Sequence, residues 1–164
     1  EYETAEDRGF GKDQRAVAID GLAIYVNSRS SIPGLTLSQL KDIYTGKITN
    51  WKQLGGKDLK IITVSRDPKY GGTPKYFSDN ILHGEAFAPS LQPYLDNTTN
   101  TIALVAANPG AIGYATASEV CNQNTIKPLA IAKEAGSNFV SPCDGDAVNS
   151  VVIANDSYPI TRRL

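Results

Sequence analysis

Apolar positions along this chain come in short bursts divided by turn residues, and the spacing within the bursts switches between strand-like and helix-like. The run Val17-Ala18-Ile19-Asp20-Gly21-Leu22-Ala23-Ile24-Tyr25-Val26-Asn27 is nearly continuous, as in a buried strand, with Asp20-Gly21 marking an expected bend or bulge. After the turn Ile32-Pro33-Gly34, the residues Leu37, Leu40, Ile43 and Tyr44 fall on one helical face. Thr36 with Gln39 forms a capping box before them, and Gly46 stops the helix. Leu59-Lys60-Ile61-Ile62-Thr63-Val64 has the β-branched character of a strand, and Thr73-Pro74 supplies an N-cap and first-turn pair for a helix running to about Leu82.

A proline-punctuated connector through Pro89 and Pro93 follows. Thr99-Asn100-Thr101 then caps a short helix carrying Ile102, Leu104, Val105 and Ala106, which Asn108-Pro109-Gly110 ends. Ala111 to Tyr114, Ile126 to Ile131 and Val151 to Ala154 read as further strands, and Pro159 keeps the last segment extended. The polar residues 1–15 read as a flexible lead-in to a domain over 16–164. Alternating short strands and helices predict an α/β layered domain.

Length and charge narrow the function more by exclusion than by indication. At 164 residues the chain holds one domain with a real core, and a net charge of −1 gives no general attraction to nucleic acid. No apolar run reaches the length of a membrane span. The absence of Met and of a leader-like segment reads as a processed or excised segment, leaving room for a further lobe. His83 is the single histidine, and with Gly84 after it a turn is expected; no Ser–His–Asp or zinc-ligand spacing can be assembled, and no metal or cofactor is expected. Cys121 and Cys143 form an even pair without metal-like spacing, so a disulfide leads over two buried thiols. Trp51 reads first as a core anchor and second as a ligand wall.

One segment carries candidate chemistry. In Ser65-Arg66-Asp67-Pro68-Lys69-Tyr70-Gly71-Gly72-Thr73-Pro74 a strand ends at an arginine, a glycine-rich turn follows, and a helix begins. Arg66 offers a planar fork of donors, Gly71 and Gly72 let the backbone approach a ligand, and the helix start presents free amides with partial positive charge. That combination suits an oxyanion. It is not a Walker A loop, because no Gly-Lys-Ser or Gly-Lys-Thr is present. The same pattern is also the commonest joint of an α/β domain, so by itself it leaves a purely structural turn open.

Five segments in order give the wider context: Ala18 to Ala23 with Val26-Asn27; Leu35 to Leu40 running into Ile43-Tyr44-Thr45-Gly46-Lys47-Ile48-Thr49-Asn50-Trp51; Val64 to Asp67 with Gly71-Gly72-Thr73; Asn108 to Tyr114; and Tyr158 to Arg162. Taken together they resemble the periplasmic phosphate-binding proteins of ABC transporters, a substrate-binding family of clamshell architecture. The resemblance implies one lobe of that clamshell, a central mixed sheet flanked by helices, with the strands that cross to the other lobe. On it, Arg66 matches the phosphate-clamping arginine, and Gly71, Gly72 and Thr73 match the turn and helix start that donate to oxyanion oxygens. The family usually reads Gly-Ser-Gly-Thr where this chain has Tyr70-Gly71-Gly72-Thr73, so a serine hydroxyl is lost and Tyr70 becomes a further candidate.

The implied function is a non-catalytic extracytoplasmic solute-binding domain for an inorganic oxyanion, most of all phosphate, in ABC transport or sensing. Its partners would be the anion, the absent N-terminal lobe and a transporter permease. An exported location also favours the Cys121–Cys143 bridge. The rival is a sensor or protein-interaction module that keeps the fold and no longer binds; a phosphate-ester hydrolase comes third, since no nucleophile–base pair can be named.

Overall fold

The computed structural model describes residues 19–66, 72–87 and 97–163. Its centre is β1 (Ile19–Asn27), whose residues Leu22 to Asn27 are almost wholly buried. The strand is long because it serves successive partners. Ile19 to Gly21 pair with β9 (Thr161–Arg163), and Leu22 to Val26 pair with β4 (Ala111–Thr116). Tyr25 to Asn27 also pair with β5 (Ile126–Pro128). The parallel strand β3 (Ile62–Thr63) extends the sheet beyond β4, which makes it mixed: β3-β4-β1-β5, with β9 on β1.

The remaining elements cover or buttress this sheet. A short parallel pair joins β2 (Gly34–Thr36) to β6 (Ala130–Ala132). The helices are α1 (Leu37–Tyr44), α2 (Gly72–Asn80), α3 (Thr98–Ala107), α4 (Ala117–Val120) and α5 (Ser150–Ala154). A small hairpin, β7 (Cys143–Asp144) with β8 (Ala147–Val148), stands apart. Helix α3 is fastened to β1 by polar side chains in the core: the Tyr25 hydroxyl donates to Thr101 Oγ1 at 2.9 Å, and the Asn27 amide donates to the carbonyls of Val105 and Ala106. Burial of those donors without partners would be costly, so the pairs fix the helix position as well as satisfying it.

Several sequence expectations hold. Thr36 and Gln39 form the reciprocal capping box of α1, and Leu40, Ile43 and Tyr44 are its buried face. Trp51 is a core anchor at 3% exposure, its indole donating to the Gly110 carbonyl at 2.9 Å. His83 and Gly84 both take positive φ in a turn. Cys121 and Cys143 are joined by a disulfide across 22 positions, tying the end of α4 to β7.

Other expectations are corrected. Asp20-Gly21 is neither bend nor bulge; β1 runs through it in register, and the pair marks the change of partner from β9 to β4. Gly21 instead makes room for Ile153, since a Cβ there would lie 2.5 Å from the end of that side chain and displace it. Val151 to Ala154 is helical, as α5, despite its β-branched residues: Ile153 alone is turned fully inward, against Gly21, while Val151 is 69% exposed. Tertiary packing overrides strand propensity there. Ile126 to Ile131 is not one strand, since Leu129 separates β5 from β6 and sends them to different sheets. The cap of α3 is Asn97, accepting from Asn100 N, so the helix starts before Thr99. Helix α2 likewise starts at Gly72, which places Thr73 inside the first turn rather than at the cap. The lead-in 1–15 lies outside the described residues.

Two measurements check this packing. Unreduced protein should weigh two hydrogens less than the all-thiol form, and reduction should lower stability by roughly 3 kcal/mol, as expected for a bridge closing a loop of this size; two labelled thiols in fresh protein would contradict the bridge. The buried tyrosines set an alkaline limit. Burial pushes the Tyr25 phenol from 10.0 up to about 12, and holds Tyr44 and Tyr158 above the usual range as well. The unfolded chain therefore releases these protons first as pH rises through 10, so stability is full below that pH and is lost above it. A melting series across that range, followed by phenolate absorbance, should show ionisation and unfolding together.

Candidate anion-binding site

The site begins with what holds Arg66 in place. Strand β3 lies parallel to β4, and beyond its end Val64 N still donates to the Ile112 carbonyl at 2.9 Å, which carries the strand direction to Ser65 and Arg66. Ser65 is 2% exposed, and its hydroxyl donates to the Arg66 carbonyl at 2.8 Å. Having spent its one proton there, Ser65 Oγ accepts from the Tyr114 hydroxyl, 2.5 Å away. The chain Tyr114 → Ser65 → Arg66 thus fixes the arginine backbone from the middle of β4.

The same tyrosine positions the helix. Phe77 of α2 stacks on Tyr114 with centroids 3.9 Å apart and planes within 6°. Tyr44 of α1 meets both rings edge-on, at 4.9 Å from Phe77 and 5.7 Å from Tyr114. The buried Tyr44 hydroxyl donates to the carbonyls of Val64 and Ile112, closing the gap where β3 and β4 part. Pro74 and Phe77 are the buried residues of α2, so the first turn of that helix is seated while Gly72 is exposed.

Arg66 and the Gly72-Thr73 helix start are therefore both held from Tyr114. Gly71 and Tyr70, the other two sequence candidates, lie outside the described residues. The Arg66 Nε is buried and has no hydrogen-bond partner, and no ion pair engages this guanidinium among the described residues. A buried guanidinium donor without an acceptor is costly, and an anion would satisfy it.

Sequence reasoning missed a second guanidinium. Arg162 of β9 reaches the start of α2, donating to Thr73 Oγ1 at 3.3 Å, and a Cβ on Gly72 would stand 3.5 Å from its Nη1. It also donates to Asp20 Oδ2 at 3.3 Å and lies 5.7 Å from the centroid of the Tyr76 ring. Asp20 and Arg162 are direct cross-strand partners, which puts their side chains on one face. The sequence offered Arg162 only within an extended tail segment that matched the family, with no site role; the β1–β9 register that brings it to α2 is a long-range pairing with no local signature.

Among the described residues, the one carboxylate joined to this end of α2 is Asp20, bonded to the same Arg162 nitrogen that reaches Thr73. Asp20 is neutralised by Arg162 and faces an open pocket of about 360 Å³ lined also by Gly21, Ala117, Ser118 and Ile153, which carries no cationic side chain. Among the described residues no group of three or more His, Cys, Asp or Glu could hold a metal ion, and no helix is long and apolar enough to cross a membrane. The start of α2 is met by the Arg162 guanidinium, the Thr73 hydroxyl and the first-turn amides, while Arg66 stands past the end of β3, its backbone held through Ser65.

Known proteins share this fold. The family model of the PBP superfamily domain matches residues 1–164. The chain is 43% identical over 98 residues to the phosphate-binding protein PstS of Bacillus subtilis, covering 60% of this chain and 32% of that one. It is 28% identical over 171 residues to PstS of Pseudomonas aeruginosa, covering 95% and 49%. The phosphate-bound crystal structure of a phosphate ABC transporter substrate-binding protein from Clostridium perfringens superposes with a TM-score of 0.72 at 34% identity, over 89% of this chain and 54% of that one. An ABC-type phosphate transport receptor from Vibrio cholerae gives 0.73 at 30% identity, over 89% and 55%. The chain thus spans half or less of the length of these two curated relatives. A match along the whole sequence, with the same α/β lobe recurring in these structures, makes this chain a member of the PBP superfamily.

Proposed function

We propose that the chain is one lobe of an extracytoplasmic phosphate-binding protein, capturing the anion without catalysis for ABC transport or sensing. The observation that carries this reading is the buried Nε of Arg66, without a hydrogen-bond partner, just past the end of β3 and six positions before the start of α2. Its support from outside the chain is the phosphate held by the Clostridium perfringens neighbour. Arg66 would supply the charge-assisted bonds, with Gly71, Gly72 and Thr73 donating from the turn and helix start and Tyr70 beside them. A second lobe would close over the anion, and exclusion of water would strengthen every charged hydrogen bond. A permease is the partner that such a closed form would meet.

Alone, this lobe leaves the anion wet, so its affinity should be weak and should fall with added salt. The test is a titration of the chain with inorganic phosphate and with sulfate, following the amide resonances of Gly72 and Thr73. Wild type should show saturable shifts, and Arg66→Ala should weaken phosphate binding by about tenfold, the lower end of what a charge-assisted bond contributes. Amides that stay still, or that move equally in both proteins, would make the cradle structural and leave a non-binding module as the better description.

A further inference from the structure

Arg162 stands where sequence comparison gave no role, and its geometry determines what Thr73 can do. A threonine hydroxyl has one proton to donate and lone pairs to accept with, whereas a guanidinium only donates. The contact of 3.3 Å therefore places the Arg162 proton on a Thr73 lone pair. The Thr73 proton must point elsewhere, and among the described residues no acceptor takes it. Arg162 is itself held from two further sides, by the Asp20 carboxylate on the neighbouring strand and by the Tyr76 ring beneath, with its side chain 20% exposed. A guanidinium fixed in this way reorients little when a ligand arrives.

We propose that Arg162 is a positioning residue of the oxyanion site, acting through Thr73: by occupying the hydroxyl's lone pair it turns the Thr73 O–H into a dedicated donor toward the ligand. The preference follows from polarity. A hydroxyl free to rotate can meet either a donor or an acceptor, while one already accepting from Arg162 favours ligands that present bare oxygens, as phosphate and sulfate do. Asp20 serves the same end, since it orients Arg162 and offsets its charge, leaving Arg66 without an ion-pair partner among the described residues. This inference rests on the reading of the site as phosphate-binding.

A double-mutant cycle tests it, with inorganic phosphate as the probe and the Gly72 amide as the reporter. Arg162→Met and Thr73→Val should each weaken phosphate binding by about tenfold, and the double variant should be little weaker than Thr73→Val alone. Arg162→Lys, which keeps a cationic donor, should recover most of the loss at an unchanged melting temperature. Losses that simply add would show Arg162 acting as a distant charge and overturn the proposal, as would an Arg162→Met variant that binds like wild type. Should Arg162→Met fail to fold, Thr73→Ser and Thr73→Val leave the Asp20–Arg162 pair intact; serine should bind like wild type and valine should not, and equal binding by both would refute the role of the hydroxyl. Loss of binding in Arg66→Ala with none in the Arg162 or Thr73 variants would remove this inference alone. No response of wild type to phosphate would remove the phosphate reading with it.

Discussion

The site depends on one side chain in the middle of the sheet, Tyr114. Its ring carries α2 through the stack on Phe77, and its hydroxyl carries Arg66 through Ser65. The two parts of the candidate site lie on different elements and are joined in sequence by residues 67–71, yet both are referred to the same rigid point on β4. A binding constellation needs that kind of common support, because a donor displaced by a fraction of an ångström loses much of its interaction. The aromatic cluster around Tyr114 supplies it with dense, largely apolar packing whose only polar atoms are paired.

Charge is distributed around this support with a clear asymmetry. Two arginines belong to the candidate site, and they differ in compensation: Arg162 is paired with Asp20, whereas Arg66 has no ion-pair partner among the described residues. Pairing both would leave only neutral donors for an anion, and leaving Arg162 unpaired would place a bare cation beside a helix start that already carries partial positive charge. With one of them neutralised, the repulsion is contained and one net positive charge remains.

Much of this plan was legible in the sequence, and the residues show where legibility stopped. The capping box at Thr36 and Gln39 and the apolar run of β1 are local patterns that the fold keeps, and the lone cysteine pair had no other partner to choose. What failed was decided by tertiary contact. Val151-Val152-Ile153 has the composition of a strand, but Ile153 needs to reach the bare backbone of Gly21, and a short helix presents it there. Thr73 looked like a cap because Pro follows it, whereas the helix opens one residue sooner and releases the hydroxyl for Arg162. Arg162 itself was invisible as a site residue, since only the pairing of β9 with β1, across most of the chain, delivers it to α2.

That pairing gives β1 a double part in the molecule. Its Leu22–Asn27 portion is the buried centre of the lobe, while its Ile19–Gly21 portion leaves the main ladder to run beside β9. In a clamshell, strands of this kind cross between lobes, and the point where β1 changes partner is where such a crossing would bend. Asp20 and Arg162 sit on that strand pair, and Arg162 also grips the first turn of α2. The β1–β9 pair and the helix start are therefore not independent: a shift of one relative to the other would have to break or stretch the contacts of Arg162. A single guanidinium thus joins three elements: its own strand β9, β1 through Asp20, and the first turn of α2 through Thr73 and Tyr76.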